Sequence, residues 1–579
     1  MEMTHGHKIT GAEALIRAIA DEGIDTVFGY PGGTIINIYD KLYENNYRIK
    51  HLLMRHEQAA VHAAEGYARS TGKVGVCIAT AGPGATNLVT GIADAMMDST
   101  PIICITGQVS ADVLGTNFFQ EADMISVTIP ITKWSYQITK AEEIPSVMAQ
   151  AFYIAKSGRP GPVVISFTKN AQVELVDYTY NRRAAAQEVE EMRGMYSMKV
   201  DAQLNATETE YKLEQAAELL NNAEKPLIIA GQGVLLSGAC DLLKQIAERG
   251  NIPVASTLLG LGCMNCRNPL YLGMVGMHGN IAPNKMTQLS DAILAVGMRF
   301  SDRVTGAVKG YAPNARIIHI DIDKSEFDKN VFADIKLHGD AKELLSRLLP
   351  LLKFKERADW LEYGRQKRAD EKQMITLPQL KSEGPLRMSQ VIEALNDKFK
   401  SKRIVVTDVG QNQMFAARYI RMTRNVKWLT SGGLGTMGYS LPAAIGAKCG
   451  NPDAEVIAIM GDGGFQMNMQ ELGTIMANNI NIKIVLMNNS FLGMVRQWQD
   501  LFFDKRYSFT HLDNPDFQML CEAYGIEHKR VTNKEEMRVA VQEMHLSNKS
   551  YLIEAIIAKE ENVFPMIPGG KTLDGIIYK

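Results

Sequence analysis

Val456-Ile-Ala-Ile-Met-Gly-Asp-Gly-Gly464 is the stretch on which the fold turns. Its first five residues are all apolar, the pattern of a strand buried on both faces in a parallel sheet. The glycines behind it let backbone N–H groups come close to a ligand. A second run, Ile482–Met487, apolar but for Lys483, ends at Asn488-Asn489. Asp462 and Asn489 lie 27 positions apart, one strand–helix–strand crossover, so both reach the same sheet edge. Mg2+ takes oxygen ligands in an octahedron and leaves positions to substrate phosphates. Asp462, Asn489 and the carbonyl of Phe491 offer three such oxygens, and Gly461, Gly463 and Gly464 offer a phosphate cradle. Either motif alone is an ordinary turn. Together, each behind a strand, they read as a metal-diphosphate site.

The same grammar runs outward along the chain. Val74–Thr80, Ile102–Thr106, Val163–Phe167, Leu227–Ala230, Ile293–Val296, Ile317–Ile322 and Ile404–Thr407 are further short runs, most of them almost continuously apolar, separated by helical stretches. Many end in glycine or small polar residues, where ligands of open α/β sheets sit. The expected fold class is therefore α/β, with three doubly wound domains built on parallel sheets. Polar stretches at Tyr178–Glu208 and Arg357–Gly384 read as linkers, giving domains at 1–177, 209–350 and 385–579. Gly433-Leu-Gly435-Thr-Met-Gly438 formally matches a dinucleotide-binding fingerprint. Its loop is longer than that turn allows and the strand before it is weak, so a nicotinamide site is not expected there.

Composition excludes other classes. With 579 residues, 46% hydrophobic and 22% charged, and a net charge of −2, the chain is an ordinary multidomain protein. No basic excess points to nucleic acid, and no apolar run is long enough for a membrane span. The opening residues lack the apolar core of a leader, so a cytoplasmic location is expected. Seven scattered cysteines, including a lone Cys263-x-x-Cys266, read as reduced thiols.

Several further motifs stand in a fixed order. They are Phe28-Gly-Tyr-Pro-Gly-Gly33, Met54-Arg-His-Glu57-Gln, Thr80-Ala-Gly-Pro-Gly-Ala-Thr-Asn87, Gly115-Thr-Asn-Phe-Phe-Gln-Glu121, Gly297-Met-Arg-Phe-Ser-Asp-Arg-Val-Thr-Gly306, Thr430–Gly438 and Leu492-Gly-Met-Val-Arg-Gln-Trp-Gln499. With the Gly-Asp-Gly and Asn-Asn pair, this array resembles the large catalytic subunit of acetohydroxyacid (acetolactate) synthases over essentially the whole chain. The resemblance implies thiamine diphosphate, Mg2+ and FAD as cofactors. It implies that pyruvate is decarboxylated and its two-carbon remnant joined to pyruvate or 2-ketobutyrate, early in branched-chain amino acid biosynthesis.

What the resemblance assigns is specific. Glu57 would bond the aminopyrimidine N1′ nitrogen, with Tyr30, Pro31, Gly32, Gly410, Gln411 and Met437 also at the cofactor and Met437 beneath its bend. Gly33 would donate to the developing oxyanion, and Gln120 and Lys133 would line the second-substrate pocket. Arg303 would clamp a carboxylate through its planar fork of donors, while Met494 and Trp498 would pack the alkyl group. Arg159, Gly231, Gly233, Thr257, Leu258, Met277, His278, Gly279, Arg299, Asp321, Asp340 and Ala341 fall where flavin contacts are expected. The implied partners are small 2-keto acids, a second copy of the chain (a homodimer, or a tetramer of such chains) and a separate small regulatory subunit. The chain departs from the family pattern at Ile165–Asn170, Phe300-Ser301-Asp302, Asn117-Phe118 and Gly438-Tyr439-Ser440, which bears on second-substrate preference and flavin contacts. The alternatives are a flavin-dependent pyruvate oxidase, a flavin-free synthase and a non-catalytic paralogue.

Overall fold

Three six-stranded sheets organise the computed structural model, which describes residues 8–196 and 202–578. Within each of them every paired strand is parallel. The first runs Lys50–Leu53, Thr26–Tyr30, Gly75–Ala79, Ile102–Gln108, Val163–Thr168, Trp134–Ile138 from edge to edge. The third runs Val426–Thr430, Arg403–Thr407, Glu455–Gly461, Lys483–Asn488, Tyr551–Ile556, Glu527–Val531. Numbered along its own stretch of chain, each has the order 2-1-3-4-6-5. The middle sheet runs Tyr271–Met274, Val254–Ser256, Pro226–Ala230, Ala292–Val296, Arg316–Asp321, Ile335–His338, in the order 3-2-1-4-5-6. In each order the connections leave strand 1 and its higher-numbered neighbour in opposite directions, and at that reversal the strand ends open a crevice for ligands. In the third sheet the reversal lies between Arg403–Thr407 and Glu455–Gly461. In the middle sheet it lies between Pro226–Ala230 and Ala292–Val296.

The nine apolar runs read as strands are strands, with ends shifted by two residues at most. Val426–Thr430, which reads as weak, is also a regular strand, paired in parallel with Arg403–Thr407. The Ser431–Tyr439 loop nevertheless separates it from the helix Ser440–Gly450, so the tight turn of a dinucleotide fingerprint is absent there.

The two polar stretches expected to be linkers are corrected by the structure. Arg182–Tyr196 is a helix whose Ala185 and Val189, one turn apart, are buried against the helix Ile144–Lys156. One narrow apolar stripe suffices to hold it, and a polar composition conceals that stripe. Residues 197–201 lie outside the described residues. In the second stretch Ala358–Glu371 is helical and is tied to the middle sheet. The buried Arg357 donates to the carbonyls of Leu220, Ala223 and Gly250, and Trp360 Nε1 donates to that of Pro226.

The outer two domains meet through the helices Glu57–Thr71 and Ser440–Gly450. Both are rich in alanine, and glycine sets their distance: a Cβ on Gly446 would fall 1.8 Å from the carbonyl oxygen of Ala63, and one on Gly66 1.9 Å from that of Ala443. Backbone cannot yield as a side-chain tip does, and overpacking costs about 1–3 kcal/mol or more. Gly446→Val is expected to lower the thermal midpoint by several degrees; an unchanged midpoint in a melt would show that this contact is not tight in solution. Among the described residues no helix is long and apolar enough to cross a membrane.

Candidate active site

Asp462 opens the helix Asp462–Asn468 directly behind the strand Glu455–Gly461, while Asn488 and Asn489 end the neighbouring strand. The two motifs thus share one edge of the third sheet. Asp462 is 1% exposed, and its Oδ2 accepts from Asn514 Nδ2 at 2.8 Å. The same amide also donates to Asn488 Oδ1 at 3.0 Å. Burial pushes the Asp462 carboxyl up to about 6. Asn489 Oδ1 accepts from the backbone N–H of Phe491 at 3.0 Å, closing a short turn. A carboxylate, an amide and a backbone carbonyl form an all-oxygen donor set that suits Mg2+. A desolvated acid is also the group that a nearby cation stabilises. The residues present therefore fit a metal with a diphosphate.

Met437 lies at this edge: a Cβ on Gly463 would stand 3.4 Å from its Cε and 2.8 Å from Leu492. The loop that carries Met437 is fixed by three buried carboxylates that sequence reading missed. Asp408 accepts from the N–H groups of Gly438 and Ser440 at 3.0 Å. Asp98 accepts from Gly432 and Gly433 at 2.8 and 2.7 Å and pairs with Arg69 at 3.3 Å. Asp94 takes the hydroxyl of Ser431 at 2.6 Å. Burial raises the carboxyls of Asp408, to about 6, and of Asp94. Asp94 and Asp98 come from the N-terminal domain, so this loop is gripped from two domains. The one available signal was Asp408 at a strand end, ahead of Gly410.

Glu57 is the first residue of its helix, with His56 as the cap whose Nδ1 accepts from the N–H of Gln58. Glu57 Oε2 accepts from Asn87 Nδ2 at 2.9 Å. A Cβ on Gly84 would lie 3.2 Å from Glu57 Oε1, and one on Gly32 2.4 Å from the Thr80 side chain. Gln120, in the left-handed region at φ +65°, backs onto Gly82. Gly33 faces open space, and Tyr30 and Pro31 precede it at a strand end. Glu57, Gly32 and Gln120 therefore gather around the segment 80–84 of the N-terminal domain. Among the described residues no hydrogen bond or ion pair joins Glu57, Asn87 or Gln120 to Met437 or the Gly461–Gly464 turn.

A cavity of about 960 Å3 opens at the crevice of the middle sheet. Arg159, Gly233, Thr257, Leu258, Met277, His278, Arg299, Asp321, Asp340 and Ala341 line it, together with Arg303, Gly410, Met437, Met494 and Trp498. Gly231 and Gly233 are needed because the two strand ends nearly touch: a Cβ on Gly231 would meet Gly297 O at 2.1 Å. Gly279 stands just outside, its carbonyl taking Arg418 Nη1. His278 is buried, burial pushes its imidazole down to about 3, and its Nδ1 has no hydrogen-bond partner among the described residues. A cavity of this size with three arginines and a buried ring nitrogen unpaired among the described residues fits a dinucleotide such as FAD.

Three expected site residues have other partners. The Lys133 ammonium is engaged by the carbonyls of Ile154 and Ser157, capping a helix end, and burial lowers it to about 8. Arg303 pairs with Asp302 at 2.7 Å while lining the cavity. Gln411 Nε2 bonds Gln497 and the carbonyl of Glu561, which ties the C-terminal segment to the third sheet.

Three family models match in chain order. These are the thiamine pyrophosphate enzyme N-terminal TPP binding domain over residues 9–127, the central domain over 213–348, and the C-terminal TPP binding domain over 408–555. Among curated proteins the chain is 44% identical to the acetolactate synthase isozyme 2 large subunit of Escherichia coli K12, over 99% of this chain and 100% of that one. It is 44% identical to a probable acetolactate synthase large subunit of Methanocaldococcus jannaschii (98% and 95% covered) and 42% identical to the acetolactate synthase large subunit of Corynebacterium glutamicum (99% and 90%).

Proposed function

We propose that this chain, which belongs to the acetolactate synthase large-subunit family of thiamine pyrophosphate enzymes, decarboxylates pyruvate and joins the remaining two carbons to a second 2-keto acid. Pyruvate as acceptor gives 2-acetolactate, and 2-ketobutyrate gives 2-aceto-2-hydroxybutyrate. The observation that carries the reading is the buried Asp462 beside Asn488-Asn489 at the crevice of the third sheet, in a chain that matches such subunits end to end.

Bound there, thiamine diphosphate would supply the carbon that attacks the keto group and the ring that stores the electrons left when carbon dioxide departs. Asp462, Asn489 and the carbonyl of Phe491 would hold Mg2+, with Gly461, Gly463 and Gly464 at the diphosphate. Met437 would support the cofactor's bend. Glu57 would hold a proton between its carboxylate and the N1′ ring nitrogen, positioned by Asn87. Gly33 N–H and Gln120 would face the reacting carbonyl, and Arg303 would turn from Asp302 to the acceptor's carboxylate. Trp498 and Met494 would pack the acceptor's alkyl group, where one methylene is worth about 1–3 kcal/mol. FAD would occupy the cavity of the middle domain.

Two chains are needed in this reading. Glu57 and the Asp462 edge are built as separate half-sites, and exposed apolar side chains flank both: Tyr30, Ile36, Phe118 and Phe119 beside the first, Leu434 and Met467 beside the second. A homodimer would place Glu57 of each chain against the cofactor held by the other. The name "large subunit" carried by the relatives supports a separate small subunit as a further partner.

The test is an anaerobic assay with pyruvate, thiamine diphosphate, Mg2+ and FAD. Acetolactate formed without oxygen, and only with the thiamine cofactor, is expected. Acetate formed only once air is admitted would replace this reading with that of an oxidase.

A further inference from the structure

We propose that Glu471 is a positioning residue for this reaction: from the C-terminal domain its carboxylate fixes the backbone of Arg55-His56 and so aims Glu57. The inference rests on the proton-holding role proposed for Glu57. Glu471 ends the turn Met469–Glu471, which continues the helix begun by Asp462, and it is fully buried. Its Oε1 accepts from the N–H of Arg55 at 2.9 Å, and its Oε2 accepts from Thr474 Oγ1 at 2.6 Å.

The residues that follow complete a clamp. Thr474 Oγ1 also lies 3.2 Å from the carbonyl of Leu53, and Arg55 Nη2 donates to the carbonyl of Gly473 at 3.3 Å. Gly473 permits that approach, since a Cβ there would stand 3.0 Å from Arg55 Nε. The strand end at Leu53 and the peptide at Arg55 are thus both held from outside their own domain. Two residues later the helix starts, and Glu57 is its first residue. A side chain on a first turn inherits its direction from the peptides ahead of it, and the one hydrogen-bond partner of the Glu57 carboxylate among the described residues is Asn87.

A buried carboxyl is a costly way to join two domains. Burial pushes Glu471 up to about 7, against the pull of the Arg55 N–H and guanidinium. An apolar contact would fill the space with no such cost. What only an acceptor does is fix a backbone N–H in place.

The test uses the full chain with thiamine diphosphate and Mg2+, reading C2 proton exchange of the cofactor by NMR beside cofactor affinity. Glu471→Ala is expected to slow exchange and kcat together by about 10–100-fold, the size of a 1 Å misplacement, while cofactor affinity moves less than about three-fold. Glu471→Gln retains a carbonyl for the Arg55 N–H and an amide for the Thr474 oxygen, and is expected to recover most of that loss. Normal exchange in a folded Glu471→Ala protein, or equal loss of exchange and affinity, would overturn the proposal. If the alanine variant does not fold, a glutamine variant as slow as Glu57→Gln overturns it equally, and one near wild type upholds it. Glu57→Gln measured in parallel separates the two ideas: unaltered exchange there removes the role of Glu57 itself.

Discussion

Glu57→Gln is expected to slow acetolactate formation and cofactor C2 proton exchange by about 10²–10³-fold while leaving thiamine diphosphate affinity within about three-fold of wild type. The substitution is nearly isosteric, so the amide can still accept the Asn87 hydrogen bond that orients the carboxylate at 2.9 Å. Helix start and cap are also preserved, because His56 rather than Glu57 takes the N–H of Gln58. What disappears is a group able to carry charge and to exchange a proton with a ring nitrogen. In the proposed site the diphosphate and metal contacts come from the other domain, at Asp462 and the glycines behind its strand, so binding and proton exchange should separate cleanly. Exchange at the wild-type rate would remove Glu57 from the chemistry. Loss of affinity in step with rate would make it a binding residue.

The same division explains what the sequence could and could not disclose. Asp462 and Asn489 are legible because each follows its own buried strand, and local apolar runs of five or six residues mark such strands plainly. The identical order of the outer two sheets is not legible, since strand order is set by pairings between segments far apart. The carboxylates around the Met437 loop are hidden for a similar reason. Asp98 accepts from N–H groups more than 300 positions away, and no local pattern distinguishes it from a solvated acid. Lys133 shows the converse. The resemblance places it in the second-substrate pocket, and in the structure its ammonium is engaged by carbonyls at the end of the helix Ile144–Lys156, a commitment invisible without the tertiary fold. The polar Arg182–Tyr196 segment reads as a linker because two buried residues in one stripe carry its packing.

Asp462→Ala should abolish Mg2+-dependent cofactor binding, weakening it by more than about 10²-fold, or about 2.7 kcal/mol. Its loss should not unfold the protein. A carboxyl whose burial pushes it up to about 6 is a burden to the cofactor-free chain, and Asn514 keeps Asn488 as a partner when it goes. The melting midpoint of the free variant should thus stay within a few degrees of wild type. Adding thiamine diphosphate with Mg2+ should raise the wild-type midpoint, as any ligand of the folded state does, and leave the variant's unmoved. The variant also decides whether one chain or two build each site. In a symmetric dimer whose sites pair Glu57 of one chain with Asp462 of the other, a mixed dimer of Glu57→Gln and Asp462→Ala chains carries both lesions in one site and none in the other. Co-refolding or co-expressing two inactive variants in equal amounts should then return about a quarter of wild-type activity, since half the dimers are mixed and each has one intact site. Sites complete within a single chain would leave the mixture inactive, because every site would retain one lesion.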